Sequence, residues 1–193
     1  MIKSIANTIV SIDDTFTTSV LNFTAKHTCS YINKITDDMI GRIVIATGKY
    51  KNIDNTNRIT IDEAIPIVKL SDDNNDSKAF GVISNIEKDT TTREYKIGNI
   101  IFKKDKDAKD IKLQVNSAGE GGIWVSNMNG DLKNGDLITT CKLKGYGMKQ
   151  DDDIVRSYTV AKITCDCDFK KSKTISHNSK TYKIEFVGCI YKF

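Results

Sequence analysis

The stretch from Asn116 to Phe169 constrains the fold more than any other. Short β-type runs alternate there with turn chemistry. Ile123-Trp124-Val125 is one run and Leu137-Ile138-Thr139-Thr140 another, separated by Asn129-Gly130 and Asn134-Gly135-Asp136. Asn-Gly favours positive φ and tight hairpin geometry, so a chain punctuated in this way is suited to a compact β domain. The run Gly119-Glu120-Gly121-Gly122 lacks the Lys-Ser/Thr of a phosphate-binding loop and no helix follows it. It reads as a bend that lets two backbones approach.

The pattern extends to both sides. Strands are expected over 42–46, 58–61 and 79–84, with Gly81 marking a bend or bulge. Pro66, the sole proline, makes Ala64–Val68 an edge strand or an extended connection. Residues 71–77 form a surface loop, 94–101 a further strand, and 103–109 a charged hairpin tip. Downstream, the pattern predicts a long strand over 155–164, a polar loop over 170–180 and a terminal strand over 181–193. Residues 24–40 are polar and carry no strand signal, although Thr36-Asp37-Asp38 suits a cap before Met39-Ile40. At least eight strand candidates with short turns imply a mainly β protein, an antiparallel barrel or sandwich, with a single domain over 24–193.

Residues 1–23 differ in kind and read as a short helical or extended arm. Ile2, Ile5, Ile9, Ile12 and Phe16 follow one another by three or four residues. Isoleucine at both seam positions favours bundles of three or more strands. The arm is therefore a candidate trimerising stalk, with the face carrying Trp124 as a second contact between copies. An amphipathic helix packed on its own domain would show the same spacing. Thr15, Thr17, Thr18 and Ser19 weaken a helix, and Ser19–Phe23 suits a strand.

Charge and cysteine content narrow the partners. The 193-residue chain has 29 basic and 25 acidic residues, a net charge of +4, and the two signs are interspersed. Nucleic-acid binders cluster their basic residues, so no nucleic-acid partner is expected. The five cysteines are odd in number and irregularly spaced, which fits a reducing compartment. With no apolar run long enough to cross a bilayer and no signal peptide, no membrane partner is expected.

Candidate chemistry is sparse. Cys165 and Cys167 would share a face in a strand, but zinc needs two further ligands; half-buried thiols are the simpler reading. Asp151-Asp152-Asp153 reads as a solvated turn rather than a cation site. Ser30, Ser117 and Ser126 have no histidine at a recognisable spacing. No cofactor, metal or catalytic set is expected. Trp124 and Tyr146 are of the type that stack on sugar rings, and they serve a core equally well.

Several of these elements fall into one longer pattern. It runs through Ala79-Phe80-Gly81-Val82-Ile83-Ser84, Gly119–Ser126, Gly130, Gly135-Asp136-Leu137-Ile138-Thr139-Thr140, Gly145-Tyr146-Gly147-Met148-Lys149-Gln150 and Val160-Ala161-Lys162. It resembles the C-terminal autoproteolytic intramolecular-chaperone domains of phage tail appendages and spikes, and still more their homologues in large DNA viruses of algae and protists. The resemblance covers roughly residues 40–169. It implies a trimeric virion component, made in the host cytoplasm, that touches other virion proteins. In that family the domain assists fibre folding and cleaves itself off at an Asp-Tyr-Ala-Glu type motif before the first strand. The corresponding stretch here, Lys26–Asn33, lacks the acidic pair, and Met1 lies just upstream. A non-cleaving structural scaffold is therefore expected. For self-cleavage the candidates by position and type are Asp37, Asp38 and Glu120; a host-surface sugar-binding module is the third reading.

Overall fold

A computed structural model describes residues 25–191 apart from 53–55, 57–58, 60, 62–63, 89, 98–99 and 108–109. The protein is mainly β. Its strands are β1 (Ala25–Tyr31), β2 (Ile43–Lys51), β3 (Ile65–Leu70), β4 (Ala79–Ile86), β5 (Thr92–Ile97), β6 (Ile100–Asp105), β7 (Lys112–Ser126), β8 (Leu137–Thr140), β9 (Gly147–Lys149), β10 (Thr159–Ile163), β11 (Lys173–His177) and β12 (Lys180–Tyr191). Single 3-10 turns cover Asp37–Met39 and Asn127–Asn129.

The pairings close two rings. β1, β3, β2, β4 and β7 return to β1, while β7, β9, β8, β10 and β12 return to β7. One strand, β7, therefore belongs to both. Its first half, up to Ala118, pairs with β1, and from Gly119 it pairs with β12. Gly119, at φ +94°, stands at the changeover, a backbone setting that a side chain disfavours. The glycine-rich run is thus a corner inside one long strand.

The mainly β fold expected as an antiparallel barrel or sandwich is a mixed sheet in detail: most contacts are antiparallel, and each ring contains one parallel pair, β1–β3 in the first and β7–β9 in the second. The reason is parity. Five strands around a closed ring cannot alternate direction at every contact, so at least one neighbour pair must run parallel. Closure removes the open edges on which sheets otherwise aggregate.

Each ring has its own filling. Cys29, Met39, Val44, Val68, Leu70, Ile83, Leu113 and Val115 pack inside the first. The second is filled by Ile123, Val125, Leu132, Ile138, Val160, Ile163, Phe169, Val187 and Tyr191, and this cluster also takes in Ile43, Ala79 and Val82 from the first ring. A third cluster, of Cys141, Leu143, Tyr146, Met148 and Ile184, lies beside Trp124.

Several expected elements move. Residues 25–31 form β1, paired with β7 and β3, and only Cys29 and Ser30 of that polar run are buried. Val44 faces Gly81 and Ile45 faces Ala79, which leaves Phe80 as the extra residue of a bulge at the expected place. The Pro66 strand is interior, but β1 reaches only Ile67 and Val68, so Pro66 itself is paired on the β2 side alone. Of the 58–61 strand, Ile59 and Ile61 are exposed outside any strand, and its other residues lie outside the described ones. The hairpin expected at 103–109 instead turns between Ile97 and Ile100. The 155–164 strand shrinks to β10, with Ile154 and Val155 exposed before it. The 170–180 loop contains β11.

Candidate interaction surface

Strict alternation along β12 from Phe186 onward sorts its side chains. Val187, Cys189 and Tyr191 point into the second ring, while Phe186, Gly188 and Ile190 point outward. Opposite them on β7 stand Trp124, Gly122 and Glu120. The outer face of this ladder thus carries Phe186, 49% exposed, and Ile190, 39% exposed, with Ile40, 43% exposed, beside Trp124. Together they make a ridge, apolar but for Glu120 opposite Ile190.

Trp124 is the bolt beneath the ridge. Its indole N–H donates to the Ile40 carbonyl at 3.1 Å and its backbone N–H to the Gly41 carbonyl at 2.9 Å. Both partners precede β2, so the residue joins the second ring to the first. Its ring lies 5.4 Å from Phe186 and 6.3 Å, edge-on, from Tyr146. Glycines make room for the aromatics. A Cβ on Gly122 would collide with the Phe186 ring, and one on Gly41, at φ +83°, would fall 2.6 Å from that ring. Tyr146 is buried, with the Arg42 guanidinium 4.8 Å from its ring centre. Burial pushes its hydroxyl above the ordinary value. Tyr146 is thus a core residue with no free face for a sugar, which removes half of the expected stacking pair.

The remaining predicted residues are dispersed. Ile2, Ile5, Ile9, Ile12 and Phe16 lie outside the described residues. Asp38 is held by Arg42 at 2.7 Å, Asp37 begins the 3-10 turn, and Glu120 faces Ile190 on the outer ladder. Cys165 is exposed whereas Cys167 is buried against Leu132, so the two do not share a face. Burial pushes the Cys29 and Cys189 thiols up to about 12, which marks them as core fillers. Asp151 accepts from Asn129 at 2.7 Å, while Asp152 accepts from Gln150 and Arg156. Asp151 and Asp152 are thus committed to turn bonds.

One contact was not legible in the sequence. His27 Nε2 lies 2.8 Å from Ser117 Oγ, across the β1–β7 ladder, with the ring edge-on to Phe80. Ser117 is the extra residue of a bulge, since Ala25 faces Ala118 and Lys26 faces Asn116. Among the described residues no carboxylate bonds the other ring nitrogen, the contact that orients a catalytic histidine. The pair is a cross-strand hydrogen bond between residues too far apart in the chain for any spacing rule to connect.

No family model matches the chain, and no curated protein or solved structure is significantly similar to it.

Proposed function

We propose that this protein is a non-enzymatic structural component of a virus particle, made in the host cytoplasm, which assembles as an oligomer through the outer face of the β7–β12 ladder. The observation that carries the assembly reading is the exposed ridge of Ile40, Phe186 and Ile190, with Phe186 packed on Trp124. Exposed apolar side chains gathered on one sheet face favour a protein contact. Each of the three side chains is already about half covered, so completing its burial contributes about 1 kcal/mol. Three such residues per copy make a modest interface that other contacts would strengthen. The arm's isoleucine spacing favours a trimer, and the virion setting rests on the resemblance read from the glycine and Gly-Asp-Leu-Ile-Thr-Thr elements.

Light scattering tests the assembly. The purified chain should run as an oligomer at micromolar concentration, and Phe186→Glu with Ile190→Lys should shift it toward monomer with its β circular dichroism unchanged. A wild-type monomer would remove the reading. Intact mass after long incubation addresses the intramolecular-chaperone alternative: a stable mass fits the scaffold, and a discrete shorter product would favour self-cleavage.

A further inference from the structure

Among the described residues β5 and β6 pair only with each other, forming a hairpin outside the ten-stranded sheet. A lone two-stranded hairpin is marginal in water, and this one is pinned at its base. The Arg93 guanidinium bridges Glu87 at 2.7 Å and Asp110 at 3.0 Å, while Lys106 donates to the Asp110 carbonyl at 3.0 Å and Lys112 pairs with Asp110 at 2.9 Å. Arg93, Lys106 and Lys112 are nearly buried. Burying charges is costly unless every partner is in place, so this base is a built anchor. What it holds out is apolar: Ile100 and Ile101 are 68% and 62% exposed.

The order of the rungs suggests the partner. From the turn they read Ile97 opposite Ile100, Lys96 opposite Ile101, Tyr95 opposite Phe102, Glu94 opposite Lys103 and Arg93 opposite Lys104. Five of the six residues in the first three rungs are apolar or aromatic, the sixth is Lys96, and Lys103 and Lys104 follow. Three rungs at 3.3 Å each span about 10 Å, the depth at which amphipathic elements sit between headgroups and acyl chains. Aromatic residues favour that boundary. Lys103 and Lys104 are exposed at the next level. The Lys103–Glu94 pair, 3.1 Å long and solvent-facing, is too weak to hold the lysine from a stronger partner.

We propose that the β5–β6 hairpin docks on an anionic lipid bilayer, with Ile100 and Ile101 entering the headgroup boundary and Lys103 and Lys104 meeting lipid phosphates. The expectation of no membrane partner was drawn from the want of a spanning segment and does not extend to a hairpin lying at a surface. The inference stands on this hairpin alone and is independent of the assembly reading.

Co-sedimentation with vesicles decides it. The full chain should pellet with phosphatidylcholine–phosphatidylserine vesicles at low salt, less as salt rises, and little with phosphatidylcholine alone. Ile100→Asp with Ile101→Asp should abolish pelleting, with Trp124 emission reporting an intact fold. If that emission changes, Lys103→Gln and Lys104→Gln serve instead, each weakening binding about fivefold, the equivalent of about 1 kcal/mol per surface lysine. A wild-type chain that stays in the supernatant with anionic vesicles, or folded variants that pellet like wild type, would overturn the proposal.

Discussion

The two rings share a strand and a strand number, yet they are closed by different means. The second builds β8, β9 and β10 between Leu137 and Ile163 from neighbouring segments, the first two joined by a turn at Gly145. Only β12 arrives from farther along the chain. The first ring is closed by β1, which pairs with β7 across nearly half of the chain, from Ala25 to Ala118. Its core is aliphatic and sulfur-bearing, with Tyr31 and Phe80 only partly buried against it, whereas Phe169 and Tyr191 are buried in the second. Long-range closure costs more chain entropy before any contact is returned. The first ring therefore leans on the second, through Trp124 and through the core residues Ile43, Ala79 and Val82 that the second ring claims.

The largest test of this dependence is a cavity in the second ring. Ile138 is fully buried in the cluster that spans both rings, so Ile138→Ala should cost about 2–5 kcal/mol. Urea unfolding followed by Trp124 fluorescence and by far-ultraviolet circular dichroism should still give one coincident transition. Two separated transitions would show that the rings fold apart and would break the comparison.

A smaller effect separates two glycines. A Cβ at Gly81 would collide with the Asn116 carbonyl oxygen, a backbone atom that cannot swing away. Gly81→Ala in the first ring should therefore cost about 1–3 kcal/mol. Gly135, in a turn of the second ring, has only a positive φ of 97° and nothing nearer than Lys162 Cε at 3.8 Å. Gly135→Ala should cost about 1 kcal/mol, the usual left-handed penalty. Denaturant midpoints of the two variants test the ordering, and a reversal would mean that β4 and β7 can slide apart freely.

The smallest effect concerns acid. Burial alone would raise the Glu87 carboxyl, but the Arg93 guanidinium, the Lys112 amide and Lys106 outweigh it and hold the group below its ordinary value. A depressed carboxylate contributes stability above its unfolded pKa and loses it as pH falls through the folded value. Acidification below the ordinary carboxylate range should thus loosen the hairpin base beside the first ring before the second ring responds. Amide hydrogen exchange along β5 and β6 should rise first in that range, while β8 and β10 stay protected. Glu87→Gln should remove the pH step.

Turn chemistry and alternation determined much of the second ring from the sequence alone. Asn134-Gly135 makes its turn with glycine at positive φ, Leu137–Thr140 is a strand as read, and the terminal segment is a strand in the sheet. These are local effects, set by which φ a residue tolerates and which face it buries. Trp124 was legible as a residue of consequence, but not its role as a bolt between rings, because its partners at Ile40 and Gly41 lie far away in the chain. β1 was hidden for the same reason: Ala25–Tyr31 is a strand because β7 and β3 present edges to it. The ridge, too, needed tertiary structure, since alternation marks Phe186 and Ile190 as sharing a face but cannot say which face a closed ring leaves in water. Ring closure is a property of pairings between distant segments, and the parallel contact each five-membered ring requires leaves no mark on local sequence.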